Sequence, residues 1–121
     1  ERARLWTARH RAYFAARQLR PGCRCQSTDT CVPISRLAES INESIAEAEV
    51  AGIPYWTVGH VGDGNFHLSY LFYPDDPREA AEVERLSVQM VRRALRLEGT
   101  CTGKRALDPK NIMNPGKVLA L

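Results

Sequence analysis

Apolar residues fall along the chain in several distinct rhythms. Leu5, Trp6, Ala8, Ala12, Tyr13, Ala15, Ala16 and Leu19 recur at helical spacing with arginines between them. They predict a helix over residues 3–19, ended by Pro21-Gly22. Cys23 to Ser27 reads as a loop, and Thr28 to Ile34 as a short strand closed by Pro33. Ile34, Leu37, Ile41, Ile45 and Ala48 form a stripe that predicts a helix over 36–51. Ser35 is its candidate N-cap and Gly52 its C′ residue, and Pro54 blocks continuation.

Residues 55–61 and 65–72 read as paired strands around Asp63-Gly64, a strong hairpin signal. Asp76 then caps a helix with Pro77 at its first position, running to about Leu97. Its stripe is Ala80, Val83, Leu86, Met90, Ala94 and Leu97. Gly99 to Cys101 reads as a short strand, Asp108-Pro109-Lys110 as a one-turn segment, and Asn114-Pro115-Gly116 as a turn. Helices alternate with antiparallel strands, without the buried parallel run of a doubly wound sheet. The expected class is α+β, a small antiparallel sheet with helices packed on one face.

Composition narrows the function classes. The 121 residues suit one domain, at 44% hydrophobic and 26% charged. No apolar run approaches the ~18–20 residues of a membrane span, and no secretory signal is visible. The net charge is only +3. Six arginines between Arg2 and Arg20 raise the question of nucleic acid. The mixed charge and the lack of an aromatic-interleaved basic motif argue against it. Cys23, Cys25, Cys31 and Cys101 include a C-x-C but no C-x-x-C, and they read as free thiols.

The chemistry concentrates in His60-Val-Gly-Asp-Gly-Asn-Phe-His67. With Asp63-Gly64 as a two-residue turn, His60 faces His67 across the hairpin. Their Cβ atoms would then lie ~4.5–5.5 Å apart on one side of the sheet. Two imidazoles so placed can share a metal ion, or simply pair across strands. A metal needs a third donor. Asp63, Asp29 and Glu98 are candidates by spacing, and His10 is the only other histidine.

The octet resembles the metal-binding hairpin of FAD-linked oxidases of the D-lactate dehydrogenase and glycolate oxidase type. Leu5-Trp-Thr-Ala-Arg-His10 is similar to the family's L-W-x-x-R segment. Ser27-Thr-Asp-Thr-Cys-Val-Pro-Ile-Ser-Arg-Leu37 is similar to S-T-D-V-C-V-P-I-S-R-L. Ala106-Leu-Asp-Pro-Lys-Asn-Ile-Met-Asn-Pro-Gly-Lys117 resembles the family's C-terminal signature. The resemblance implies that residues 1–121 are part of the C-terminal cap domain of an enzyme oxidising a D-2-hydroxy acid, most like D-lactate. FAD would sit on a separate domain, absent from this chain. His60 and His67 would bind a divalent metal, Zn²⁺ or Mn²⁺. Arg9 and Arg24 would hold the substrate carboxylate, a task that suits a planar guanidinium. Asn114 and Lys117 would lie near the flavin. The compartment implied is cytoplasmic in a bacterium or mitochondrial in a eukaryote, and a homodimer is compatible.

The chain also departs from the pattern. Relatives carry a G-E-H-G-I-G segment after the equivalent of Gly99-Thr-Cys-Thr-Gly103, supplying a third metal ligand and a general base. Here Lys104-Arg-Ala-Leu-Asp-Pro follows Gly103 at once. The chain alone is therefore expected to be inactive, and a non-catalytic α+β binding module is the rival reading.

Overall fold

The computed structural model describes residues 6–7, 11, 14–16 and 18–101. The described residues of the expected first helix up to Gln18 are helical. Then come β1 (Arg24–Ser27), β2 (Thr30–Cys31), α1 (Ile34–Ala51), β3 (Tyr55–His60), a 3₁₀ turn (Val61–Asp63), β4 (Asn65–Phe72), α2 (Pro77–Arg96) and β5 (Thr100–Cys101). The α+β expectation is met.

All pairings are antiparallel and β4 is the spine of the sheet. β3 lies along one edge of β4, β1 and β2 lie end to end along the other, and β5 flanks β2. Side chains alternate across β4. Phe66, Leu68, Tyr70 and Phe72 enter the core. Opposite them come Val83, Leu86, Met90 and Ala94 of α2, with Leu37 and Ala48 of α1. Each such large side chain contributes roughly 1.5–3 kcal/mol by burial. Both helices cover this one face, and burial pushes the Tyr70 phenol well above its ordinary range.

Helix ends follow local chemistry. The Asp76 carboxylate accepts from the N–H groups of Arg78 (2.9 Å) and Glu79 (3.2 Å), with Pro77 next to it as expected. Gly52 closes α1 in the left-handed region (φ 68°). Ser35 does not cap α1. The helix starts two residues earlier than expected, after Pro33, with no side-chain cap. Ile34, expected in the apolar stripe, is exposed. The expected loop at Cys23–Ser27 is largely strand, while the expected strand over 28–34 shrinks to Thr30–Cys31. Cys23, Cys25, Cys31 and Cys101 form no disulfide, as expected.

The two helices are joined by an unforeseen polar clamp. Arg93, only 5% exposed, donates to Glu43 (2.9 Å) and Ser44 Oγ (2.8 Å) and pairs with Glu47 (2.5 Å). Arg93 is also the foremost cause that holds the Glu43 carboxyl below its ordinary value. Arg20 makes a second tether. It forks onto Glu79 (2.6 and 3.0 Å), donates to the Leu71 carbonyl (3.0 Å) and stacks on Tyr73.

Candidate functional site

The hairpin that carries the two histidines has a different turn from the expected one. His60 pairs with Asn65 and Val58 with His67. The loop therefore has four residues, the 3₁₀ turn Val61–Asp63 and then Gly64. Gly64 has φ 71°, and its N–H returns to the Val61 carbonyl. A Cβ on Gly64 would also run into the Val32 carbonyl, so the position requires glycine twice over. Asp-Gly fits either loop length, and here close docking against Val32 selects the longer one. The Val32 N–H donates to the Gly64 carbonyl at 3.0 Å.

Relative to a two-residue turn, the register has moved by two residues. Two is an even number, so His60 and His67 still share a face. They are now diagonal rather than directly opposed, a spacing of ~7–8 Å between Cα atoms that long side chains can span. The face is the one turned away from α1 and α2. Across it run the rows His60–Asn65–Cys31 and Trp56–Ser69–Ser27. Val58 and His67 form the row between them.

His67 sits beside a break in the neighbouring strand. β1 and β2 pair with β4 in one continuous register, Ser27↔Ser69 and Thr30↔Phe66, so Asp29 falls level with His67. Between them the ladder is rewired. The Thr28 N–H donates to the Leu68 carbonyl (3.0 Å), but the Leu68 N–H goes to the Thr28 hydroxyl (3.1 Å). That hydroxyl in turn donates to the Leu68 carbonyl (2.9 Å). The Thr28 carbonyl is thus released from the ladder and lies 3.0 Å from His67 Nδ1, with Ser27 Oγ a weaker donor at 3.4 Å. Asp29 Oδ1 lies 3.5 Å from the same nitrogen and accepts from Asn65 Nδ2 at 2.8 Å. A carbonyl oxygen can only accept, so Nδ1 carries the proton and the lone pair of neutral His67 is on Nε2. That tautomer leaves Nε2 available as a metal ligand.

The structure brings His60, His67 and Asp29 to one region. It does not bring Arg24 there. Arg24 pairs with Phe72, five residues along β4 from His67, ~17 Å at strand rise, and on the opposite, helix-side face. Arg9, His10, Asn114 and Lys117 lie outside the described residues. Among the described residues, no group of three or more His, Cys, Asp or Glu side chains could hold a metal. The described residues contain no helix long and apolar enough to cross a membrane. Sequence reasoning missed Thr28, whose signal is faint: a β-branched hydroxyl residue next to an aspartate.

Comparison with known proteins gives a consistent result. A family model described as FAD linked oxidases, C-terminal domain, matches residues 1–103 and 104–118. The chain is 44% identical to a zebrafish (Danio rerio) protein named as a probable mitochondrial D-lactate dehydrogenase, covering 99% of this chain and 30% of the relative. It is 36% identical to an Arabidopsis thaliana mitochondrial D-lactate dehydrogenase [cytochrome], over 95% of this chain and 25% of that protein. It is 30% identical to the glycolate oxidase subunit GlcD of Bacillus subtilis, over 96% and 30%. The chain thus spans about a quarter to a third of these relatives. The zebrafish alignment runs over 147 positions against 121 residues here, so at least 26 positions of that relative have no counterpart. The family match is itself divided between Gly103 and Lys104.

Proposed function

Since the chain belongs to the FAD-linked oxidase C-terminal family, we propose that it forms the substrate-facing part of an FAD-dependent dehydrogenase acting on a D-2-hydroxy acid. D-lactate is the first candidate, by the names of the relatives. The observation that carries the reading is the placement of His60 and His67 on one sheet face, opposite α1 and α2, with the His67 Nδ1 turned to the Thr28 carbonyl. When bound, the flavin supplies the hydride acceptor and a divalent metal, Zn²⁺ or Mn²⁺, supplies Lewis acidity at the substrate hydroxyl. His60 and His67 would hold the metal through one nitrogen each. The Thr28 carbonyl retains the proton on His67 Nδ1 and so leaves Nε2 for that task. Two imidazoles are an incomplete shell for zinc.

The carboxylate of the substrate is assigned to Arg9. Arg24 faces the other side of the sheet, and in this arrangement one small hydroxy acid cannot touch both it and a metal on the histidines. Asn114 and Lys117 are proposed to lie toward the flavin, on the strength of the C-terminal signature alone. The compartment would be mitochondrial in a eukaryotic host, as the names of two relatives state for themselves, and cytoplasmic in a bacterium.

A second reading is favoured by the division of the family match at Gly103 and Lys104. A chain lacking that stretch could persist as a non-catalytic binding module. The intact mass of the polypeptide and its flavin content separate the two. A flavin-bearing polypeptide several times heavier than 13.6 kDa that oxidises D-lactate, and loses metal and turnover in His67→Ala, supports the enzyme. Unchanged metal content and turnover in His67→Ala would sink the metal assignment. A flavin-free, inactive chain of 13.6 kDa supports the module.

A further inference from the structure

We propose that the break in the sheet at Thr28–Asp29 is a built positioning element that fixes the tautomer and direction of the His67 ring. The inference rests on the reading of His67 as a ligand only for its metal consequence; the tautomer itself follows from the strand.

A continuous ladder would leave nothing for His67. In an antiparallel pair, residues 28 and 68 would exchange both backbone hydrogen bonds, and the Thr28 carbonyl would be consumed by the Leu68 N–H. The Thr28 hydroxyl takes the Leu68 N–H instead (3.1 Å). The strand keeps its register on both sides of the break, Ser27↔Ser69 and Thr30↔Phe66. The carbonyl is turned to His67 Nδ1 at no loss of backbone satisfaction. The residue that allows this must carry a hydroxyl on Cβ. Thr28 is buried (8% exposed), so water is a poor substitute for that hydroxyl.

The neighbouring residue is held as firmly. The Asp29 carboxylate accepts from Asn65, which pairs with His60 in the hairpin. The Asp29 carbonyl accepts from the Cys101 thiol of β5 (3.1 Å). Asp29 therefore connects the two histidine rows and adds a negative charge 3.5 Å from the protonated nitrogen of His67. Carboxylate and carbonyl partners of this kind fix the tautomer and orientation of a ligand imidazole. Asp29 acts through His67 and is a positioning residue, not a ligand, because it lies on the Nδ1 side of the ring.

The test uses the metal-free 121-residue chain. Long-range ¹H–¹⁵N correlation at a pH of about 8.5, where free imidazole is neutral, reports which ring nitrogen carries the proton. The expected result is Nδ1–H for wild-type His67, against the Nε2–H preference of free imidazole. Thr28→Val, nearly isosteric, lets the Thr28 position close the ladder and should move His67 toward Nε2–H. Thr28→Ser should restore the wild-type pattern. Titration with Zn²⁺ alone, in competition with a chromophoric chelator, should show a loss of about 10–100-fold in Thr28→Val. Asp29→Asn should also weaken Zn²⁺, with Nδ1–H retained. Wild-type His67 as Nε2–H would overturn the proposal even if Thr28→Val does not fold. So would a folded Thr28→Val with unchanged tautomer. A wild type that takes no Zn²⁺ while its tautomer still answers to Thr28 would support the positioning element and overturn the metal assignment.

Discussion

Replacing Arg93 by alanine should cost far more stability than replacing Arg96, although both arginines bond Glu43. Arg93 is 5% exposed by side chain and reaches three acceptors on α1, whereas Arg96 is 52% exposed and reaches Glu39 and Glu43. Removing one partner of a buried pair costs about 3–5 kcal/mol when the remaining charge is stranded. Here the stranded groups are not fully buried, since Glu43 and Glu47 are 43% and 35% exposed and recover hydration. Ser44 Oγ still donates to the Ser40 carbonyl at 2.7 Å, so it is not orphaned either. Those two facts bring the expected loss to about 2–3 kcal/mol for Arg93→Ala, including the lost packing of its stem. For Arg96→Ala, whose ion pairs are screened by solvent, the loss should be much smaller. Urea unfolding of the three chains at pH 7, followed by circular dichroism with slopes compared, measures both losses. A loss in Arg96→Ala equal to or larger than that in Arg93→Ala would refute the argument that burial, rather than the count of ion pairs, sets the strength of the clamp.

Glycine positions in the hairpin should differ sharply. Gly64→Ala meets both a positive φ and the Val32 carbonyl and should cost about 2–4 kcal/mol. Gly62→Ala has nothing within 4 Å and should stay within about 0.5 kcal/mol in the same urea assay. Acid should weaken the fold through Glu43 and Glu79. The Arg93 hydrogen bond lowers the first and the Arg20 hydrogen bond lowers the second. A lowered folded value means that their stabilisation is complete above the unfolded range, about pH 5, and is lost as pH falls through the folded values. Glu79→Gln should flatten the decline of the urea midpoint between about pH 5 and pH 3, and an unchanged slope would count against it. Cys23, buried at 4% exposure, should react with a thiol reagent more slowly than Cys25, as peptide mapping after brief alkylation would read.

Much of this arrangement was legible in the residues because it obeys a period. The stripe from Val83 to Leu97 buries as its spacing predicts. Asp76 and Pro77 start α2 where capping chemistry requires. The hairpin lies where Asp63-Gly64 punctuates two apolar runs. What escaped depends on non-local contacts. Arg-Cys-Gln-Ser carries no strand rhythm of its own and becomes β1 because β4 offers it an edge. Arg92 and Arg93 look alike in sequence, and only the angle around α2 turns Arg93 toward α1. The loop length of the hairpin was decided by Val32, thirty-two residues from Gly64 in sequence. The direction of the Thr28 carbonyl leaves no trace in composition at all.

The parity of the hairpin register bears on how such a protein can change over time. Single-residue insertions are ordinarily the mildest length changes a surface loop can receive. In the loop of residues 61–64 one added or deleted residue, absorbed by a slip of β3 along β4, would turn His60 to the helix side while His67 stayed in place. A change of two residues would keep both on the same side. Variants that absorb such changes by a slip and keep the histidine pair on one face should therefore differ in loop length by even steps, which a survey of loop lengths would show.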